Sequence, residues 1–399
     1  MKLEIYSGRR YKNYVRRGIG GQYMRNMRVD CFPNGIIVNE HIHGFGVFDE
    51  NCKFVKSSSQ MRKKNGQFVP KFNHESIRFV DKDVMFIGNV YPQFGHFLLE
   101  HLNRAWALTV AEYKNVYAVL INNQDVNPVP EYMYRFLELV GVPRDRVIIL
   151  NETTRFRNVF VPTQAFNIPL YSSTEFGKTF DVIAGNVDAS CDVYDKVYMS
   201  RGMLKERRTY GENVISDIFE KNGFHVVYPE TLPLDKQIAI VKNCRVLAGC
   251  AGTALHLALF MKPGGTVIQI KRNRKNDDNS ASQYLINETK KLNSVFVAAS
   301  VEKYKTGHGY DVPQVVGLNE YMREFFDKNN FVYDVNLPVI DDMAWNEYMV
   351  ATKKINLRCG GMTIIELKNL LVRVSSCFIP GRERRGAWRR WLKKKLRLR

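Results

Sequence analysis

The sequence predicts an α/β fold with two Rossmann-like domains that face a cleft, followed by a helical appendage. Apolar strand-like runs alternate with helical stretches of roughly 10–15 residues, the pattern of βαβ units around a mostly parallel sheet. This alternation occurs twice, on either side of a stretch at 166–195 that is rich in Gly, Ser, Thr and Asp. A chain of 399 residues, 45% hydrophobic, is large enough for two cores. Two such domains around a cleft are typical of enzymes that hold two substrates together.

The first half begins with about 80 irregular residues that contain short strand-like pieces at 35–39 and 45–48. Apolar runs and amphipathic spacing then predict the elements in order. They are a strand at 84–90, a helix at 94–110, a strand at 117–122, a helix at 130–140, and strands at 146–150 and 158–162.

The second half repeats the alternation more regularly and ends before the appendage. We divide the chain into an N-terminal α/β domain at 1–170, a C-terminal Rossmann-like domain at 171–330 and an appendage at 331–399. The predicted strands of the second half are 196–200, 224–228, 245–249 and 266–270, and its predicted helices are 212–222, 234–243 and 253–261.

The net charge of +19 is concentrated at the two ends of the chain. Residues 1–28 have a net charge of +7 and residues 382–399 one of +9, which leaves +3 for the rest. The tail should form a helix with an apolar stripe ringed by cations, which suits an anionic membrane surface. A docked helix or a disordered tail are the alternatives, and no nucleic-acid-binding motif accompanies the charge. The membrane candidates are Trp388, Trp391, Leu392, Leu396, Lys393 and Lys394.

Seven cysteines, an odd number without any C-x-x-C pair, favour a reduced cytoplasmic compartment and no zinc site. The N-terminus has no apolar segment typical of a secretory signal. The most apolar run, 246–261, is too short to span a bilayer. We therefore expect a cytoplasmic protein that associates peripherally with the inner face of the cell membrane.

The first candidate site lies at the start of the helix predicted at 94–110. His96, Glu100 and Arg104 are spaced i, i+4 and i+8 on one face, with Asn103 beside them, and Asn103 and Arg104 are the candidate acceptor-side residues. A helix N-terminus favours a neutral imidazole, which suits a general base, and Glu100 could orient His96 or act as the base itself. A structural His–Glu pair is the alternative.

The second candidate site follows the strand at 196–200, where open α/β sheets bind ligands. It contains Ser200, Arg201, Lys205, Arg207 and Arg208. Arginine binds phosphate oxygens in pairs and keeps its charge, so these cations could neutralise a diphosphate. A solvated basic turn is the alternative.

Two further segments of the second half have the chemistry of a nucleotide site. Gly252, Thr253 and His256 lie at a strand–glycine turn–helix junction, where main-chain N–H groups can approach a phosphate. Glu230 follows the strand at 224–228 and could bind a ribose hydroxyl, with Gln237 on the next helix. Tight packing and an ordinary turn are the alternatives.

Taken in order, these segments resemble glycosyltransferase family 61. The family pattern H-[FW]-L-x-E-x-L-x-R is matched by HFLLEHLNR at 96–104. The patterns S-R-x-x-x-x-R-R and V-x-P-E-x-L-x-x-x-Q-I correspond to SRGMLKERR at 200–208 and VVYPETLPLDKQI at 226–238, each with one additional residue before the final pair. The pattern G-x-H-G-A-x-L-x-N-x-x-F-x-x-P-G corresponds to GCAGTALHLALFMKPG at 249–264. Ala251 and Leu257 stand where the family has His and Asn, and His256 is the candidate replacement.

The resemblance implies a GT-B fold, an inverting mechanism, a nucleotide-sugar donor and no required metal. The Asp81-Lys82-Asp83 triplet has the form of a metal-binding D-x-D motif, but it is predicted to be a turn before a strand. The expected acceptor is a hydroxyl of a surface polysaccharide or a lipid-linked glycan, in the bacterial capsule or lipopolysaccharide branch. The alternative is a non-catalytic nucleotide- or glycan-binding protein of polysaccharide assembly on the same fold.

Overall fold

A computed structural model describes residues 1–8, 22–23, 26–40, 44–59, 72–73, 77–168, 170–188, 193–204, 209–273, 278–301 and 313–358, together with Ser375, Trp388 and Leu392. The strands are β1 (Leu3–Tyr6), β2 (Gln22–Tyr23), β3 (Val29–Pro33), β4 (Ile36–Glu40), β5 (Gly44–Phe48), β6 (Arg78–Asn89), β7 (Tyr117–Ile121), β8 (Val147–Leu150), β9 (Thr154–Pro162), β10 (Phe166–Asn167), β11 (Tyr171–Ser172), β12 (Lys196–Met199), β13 (Thr209–Tyr210), β14 (His225–Val227), β15 (Val246–Cys250), β16 (Thr266–Lys271), β17 (Asn293–Ala298) and β18 (Gln314–Val315).

The α-helices are α1 (Phe94–His96), α2 (Glu131–Leu139), α3 (Thr174–Gly185), α4 (Glu212–Lys221), α5 (Leu234–Asn243), α6 (Asp278–Thr289), α7 (Glu320–Lys328) and α8 (Asp342–Arg358). A π-helical turn is present at Phe97–His101. Segments of 3-10 helix are Lys56–Ser58, Leu102–Thr109, Ala111–Tyr113, Arg144–Arg146, Pro229–Thr231 and Thr253–Phe260.

The second half is organised around a six-stranded parallel sheet in the order β1-β17-β16-β15-β12-β14. Every pairing in this sheet is parallel. β15 and β16 are almost continuously buried, as expected for parallel strands covered on both faces. One face packs against α4 and α7 through Tyr198, Phe219 and Phe325.

The first half contains a mixed seven-stranded sheet. Its main order is β5-β4-β9-β6-β7-β8, and β3 pairs with β9. β6 pairs in parallel with both β7 and β9, so its carboxyl end lies in the interior of the sheet. This placement matters because the helical segment 94–109, which comprises α1, the π-helical turn and the 3-10 helix Leu102–Thr109, follows β6 directly.

One apolar core joins the two halves. Phe136 of α2 stacks on Phe260 at a ring-centroid distance of 6.4 Å, and Phe180 of α3 meets the same ring at 5.4 Å. All three rings are almost completely buried. Burying such a side chain contributes roughly 1.5–3 kcal/mol, so this shared cluster holds the two sheets in one arrangement.

The alternation predicted from the sequence is confirmed, with boundaries shifted by a few residues at most elements. Some features differ from the expectation, and the helix predicted at 253–261 is one of them, because Thr253–Phe260 forms a 3-10 helix. β1 joins the six-stranded sheet beside β17, although it precedes all other strands in the chain. The helix predicted at 94–110 is α-helical only at Phe94–His96 and continues as the π-helical turn and the 3-10 helix Leu102–Thr109, where Asn103 Nδ2 donates to the Leu99 carbonyl (3.1 Å).

The appendage is described only as far as α8, which contacts β13 and β18. Tyr348 of α8 packs on Tyr210 at 6.1 Å between ring centroids. Of the predicted tail helix, the described residues are Trp388 and Leu392, and Trp388 Nε1 donates to Ser375 Oγ (3.0 Å). Trp391, Lys393, Lys394 and Leu396 lie outside the described residues, and the domain boundaries remain predictions.

Candidate functional site

The four sequence motifs meet at the carboxyl ends of strands from both sheets. β12 leads into Ser200, β14 into Tyr228 and β15 into Ala251, while β6 leads into the helical segment 94–109. Parallel strands present these ends at a common edge, where open α/β sheets bind ligands. A separate cavity of about 320 Å³ lies at the opposite edge, lined by residues such as Lys196 and Phe325, and is remote from the motifs.

His96 and Glu100 form a directly bonded pair at the mouth of this edge. The distance from His96 Nδ1 to Glu100 Oε1 is 2.6 Å, and the side chains are 42% and 14% exposed. Because an ionised carboxylate only accepts hydrogen bonds, an ionised Glu100 accepts this bond from the Nδ1–H of His96. Tyr91 packs edge-on against the His96 ring at 5.2 Å. This arrangement can remove a proton from a hydroxyl group.

The helical segment is fixed to the end of β6 by a second histidine. The main-chain N–H of Asn89 donates to Nδ1 of buried His101 (3.0 Å). Tyr91 stacks on His101 at 5.5 Å between ring centroids. His96 is therefore held on a rigid support rather than on an exposed loop.

Asn103 and Arg104, predicted on the acceptor side, are buried beneath this pair. Asn103 Nδ2 donates to the carbonyls of Leu99 and Phe166. Arg104 donates to the carbonyls of Pro162 (3.2 Å), Ser57 (2.8 Å) and Ser59 (3.3 Å). Burial lowers the pKa of Arg104 to about 10, which leaves it charged at neutral pH. These contacts favour a supporting role, and their acceptor-side role remains a prediction.

Arg201 lies against the glycine turn that follows β15. An ideal Cβ on Gly252 would be 2.7 Å from Arg201 Nη1, so glycine is what allows this approach. Ser200 is buried and its Oγ accepts the Gly202 main-chain N–H (3.1 Å), which shapes the turn before the basic stretch. Lys205, Arg207 and Arg208 lie outside the described residues, so their part in this cluster remains a prediction.

The glycine turn opens a 3-10 helix that begins at Thr253. The first N–H groups of a helix have no acceptor within it, which makes such a start suitable for a phosphate. His256 lies on this helix, and its Nδ1 is 3.1 Å from Gln283 Oε1. Gln283 Nε2 donates to Leu255 O and Asn287 Oδ1, so the His256 ring must donate to Gln283 through Nδ1. Burial lowers the pKa of His256 to about 4 and keeps it neutral at pH 7.

The two halves touch between the first motif, at 96–104, and the glycine-turn motif at 249–264. An ideal Cβ on Gly95 would lie 2.3 Å from Thr253 Cγ2 and 3.3 Å from His256 Cδ2. His96 therefore follows directly after Gly95, which contacts Thr253 next to the Gly252 turn that Arg201 approaches. The structure thus brings the His–Glu pair, His256, the glycine turn and Arg201 into one site.

Glu230 and Gln237 lie at the margin of this site. Glu230 is exposed in the short 3-10 helix after β14. Gln237 Nε2 donates to the carbonyls of Pro229 (2.8 Å) and Leu232 (2.9 Å), so Gln237 holds the turn that presents Glu230. The neighbouring Tyr228 ring is close to Gly202, where an added Cβ would be 3.3 Å from Tyr228 Cε1.

Sequence reasoning missed Glu212, which lies directly behind Arg201. Its side chain is buried, and its Oε1 accepts the main-chain N–H of Arg201 (3.0 Å). Burial raises the pKa of Glu212 to about 7. An acidic residue in the first turn of a helix is common, so the sequence offers only its closeness to the basic stretch as a signal.

The Asp81-Lys82-Asp83 triplet lies within β6, at an irregularity of the strand, so the prediction of a turn before the strand is wrong. Arg157 binds both carboxylates, Asp83 at 2.8 Å and Asp81 at 3.1 Å. Among the described residues, no group of three His, Cys, Asp or Glu side chains could hold a metal ion. Independence from metal remains a prediction.

The described helices include none that is long and apolar enough to cross a membrane.

The sequence model of the family Glycosyltransferase 61 matches residues 94–268, a range that contains all four motifs. This match supports membership in that family, as the motifs indicated, and the family implies glycosyltransferase activity. No curated protein matches the chain.

Proposed function

We propose that this protein is an inverting glycosyltransferase that uses a nucleotide-sugar donor and a hydroxyl acceptor. The observation that supports this proposal best is the contact of Gly95 with Thr253 and His256, which brings the His96–Glu100 pair against the turn that holds Arg201. Direct displacement requires a base and a phosphate-binding edge. In this proposal one half supplies the base and the other supplies the edge. In this proposal the two sheets represent the two domains of a GT-B arrangement.

His96 is the proposed base and Glu100 its orienting partner. The acceptor hydroxyl gives its proton to His96 Nε2 while its oxygen bonds to the anomeric carbon. The bond from that carbon to the phosphate oxygen breaks on the opposite face, so the configuration inverts and a nucleoside diphosphate leaves. Glu100, 2.6 Å from Nδ1, stabilises the imidazolium that forms.

Arg201 is the proposed clamp for the leaving diphosphate, together with the Gly252–Thr253 turn. Its guanidinium already lies against Gly252, so a phosphate at the turn would meet a cation and main-chain N–H groups together. Lys205, Arg207 and Arg208 would add positive charge, and Glu230 would bind the ribose. Because cations can replace a divalent metal in this role, we expect activity to survive excess EDTA.

His256 is proposed to replace the histidine that the family has at the position of Ala251. Its ring is neutral at pH 7, and its Cδ2 approaches Gly95 at the junction of the halves. Nδ1 donates to Gln283, which leaves the lone pair on Nε2, beside Cδ2. We therefore expect His256→Gln to lower turnover without a comparable loss in the free energy of unfolding.

The acceptor is proposed to be a surface polysaccharide or lipid-linked glycan of the bacterial capsule or lipopolysaccharide class, reached at the cytoplasmic membrane face. Ten Lys/Arg residues within 382–399 support this location. Truncation after Ile379 should release the protein from anionic vesicles in a sedimentation assay, with zwitterionic vesicles as the control. Equal sedimentation of intact and truncated chains with anionic vesicles would exclude the tail as the anchor.

The donor site is tested by a thermal-shift panel of nucleotides on wild type, Arg201→Gln and Arg245→Gln. Arg245 is 80% exposed at the amino end of β15, away from the proposed donor site. Arg245→Gln therefore makes the same chemical change outside that site and serves as the control. We expect a selective rise in Tm for one nucleoside mono- or diphosphate, lost in Arg201→Gln and kept in Arg245→Gln. No response to any nucleotide in wild type would contradict the proposal.

A non-catalytic role on the same fold is the second candidate. Ala251 and Leu257, which replace the family His and Asn, favour it. Release of nucleotide from the matching nucleotide sugar separates the two functions. Release that is lost in His96→Asn supports the enzyme, whereas tight nucleotide binding without release from any sugar donor supports the binding protein.

A further inference from the structure

Glu212 is a buried carboxyl group placed behind the proposed diphosphate clamp. It is 1% exposed, and its Oε1 accepts hydrogen bonds from the Arg201 main chain (3.0 Å) and the Tyr198 hydroxyl (3.3 Å). Gly211 makes this placement possible: its φ is +80°, and an added Cβ would be 2.3 Å from the Val316 carbonyl oxygen. Main chain, helix start and carboxyl group are therefore fixed together.

The burial of Glu212 outweighs the cations and hydrogen-bond donors around it. Its Oε2 has no hydrogen-bond partner in the described part of the chain. Burial raises the pKa of Glu212 to about 7, against the opposing effects of the Arg201 N–H and of the Arg201 and Arg272 cations. Burial also raises the pKa of Tyr198 and of Cys250 well above their usual values, so both stay protonated. Of these neighbouring groups, Glu212 is the one that changes charge near neutral pH.

On the basis of the proposed function, we infer that Glu212 positions Arg201 and becomes more fully protonated when a diphosphate binds there. While the site is empty, the Arg201 cation stabilises the Glu212 carboxylate. A bound diphosphate neutralises that cation and adds negative charge nearby, so the buried carboxylate becomes less favourable. The proton comes from the solvent, and no other bond forms or breaks.

This inference predicts a binding reaction whose proton balance depends on a residue outside the ligand's reach. In wild type at pH 7.5, a rise in the pKa of Glu212 from about 7 by about one unit on binding corresponds to uptake of about half a proton. Glu212→Gln cannot take up this proton, although the amide can still accept the Arg201 N–H. Asp217→Asn is the matched control, because it removes an exposed carboxylate from the same helix.

Titration calorimetry with UDP and with inorganic pyrophosphate, in two buffers of different ionisation enthalpy, measures the proton uptake. Wild type and Asp217→Asn should take up about half a proton more than Glu212→Gln. Tyr198→Phe removes the hydroxyl that stabilises the carboxylate, so uptake should be maximal at a higher pH than in wild type. Comparison of proton uptake against pH in Tyr198→Phe and in wild type tests the inference even if Glu212→Gln fails to fold.

Two results separate the failure of this inference from that of the proposed function. Binding of UDP or pyrophosphate with the same proton uptake in wild type and Glu212→Gln would overturn the role of Glu212 alone. A pH of maximal uptake that is unchanged in Tyr198→Phe would do the same. Failure of both probes to bind wild type would contradict the proposed donor site, and the proton uptake with it.

Discussion

Replacing Gly95 with alanine should force apart the two halves of the site. The added Cβ would lie 2.3 Å from Thr253 Cγ2 and 3.1 Å from Thr253 Cβ, distances that require a shift of the main chain or of Thr253. Overpacking typically costs about 1–3 kcal/mol, whereas alanine gains about 0.5–1 kcal/mol over glycine in a helix. We therefore expect a net loss of about 1 kcal/mol in the free energy of unfolding, measured by urea denaturation.

A double-mutant cycle separates this clash from a general effect of the substitution. Thr253→Ser removes the Cγ2 methyl group, so Gly95→Ala with Thr253→Ser should recover most of the loss, with a coupling of about 1 kcal/mol. Gly185→Ala is the control, because an added Cβ there meets nothing within 4 Å. If Gly95→Ala is as stable as Gly185→Ala, or if the two changes at the junction are additive, the contact between Gly95 and Thr253 is not as described.

Three further predictions concern the His–Glu pair, the buried arginine and pH. His96→Asn and Glu100→Gln should each lower turnover by about 10²–10⁴-fold, with nucleotide affinity by calorimetry unchanged; a matching loss of affinity would place the pair in the donor site. Arg104→Met should lower the free energy of unfolding by about 2–3 kcal/mol, because three carbonyl oxygens lose their donor. An unchanged urea midpoint together with a raised KM for the acceptor would instead support the predicted acceptor-side role of Arg104. Glu212 should make folding about 3 kcal/mol less favourable as pH rises from 4.5 to above 7, because its folded pKa of about 7 exceeds the usual 4.5. His256, whose pKa is lowered to about 4, has the opposite effect on the free energy of unfolding as the pH falls below 6.5. Wild type and Glu212→Gln are therefore compared at each pH. Identical profiles of unfolding free energy against pH would refute the Glu212 prediction.

The strands and helices that were predicted each have a clear local signal, whereas α3, α6 and β17 were not predicted. Alternating apolar runs and helical spacing marked β12, β15 and α5 within one or two residues. β1 could not be placed in this way, since its parallel partner β17 is about 290 residues away and nothing local encodes that pairing. The same applies to the shared core, in which Phe136 and Phe260 come from different halves.

The positions of His96, Glu100 and Arg201 near the carboxyl ends of strands were predictable from the sequence, and their roles in the site remain predictions. The supporting residues were harder to predict because burial decides their role. Arg104 has the chemistry of a surface ligand-binding residue, but the structure buries it among carbonyl oxygens. Glu212 resembles an ordinary helix-start residue, and only the fold places it behind Arg201.

The most direct test of the central claim is a crystal structure of the protein with the nucleotide that raises its Tm. The account predicts phosphate oxygens about 2.7–3.2 Å from the Arg201 guanidinium and the main-chain N–H groups at Gly252–Thr253. The His96 side chain should face the anomeric position from the opposite half. A nucleotide bound with its phosphates away from the carboxyl ends of β12 and β15 would contradict the account.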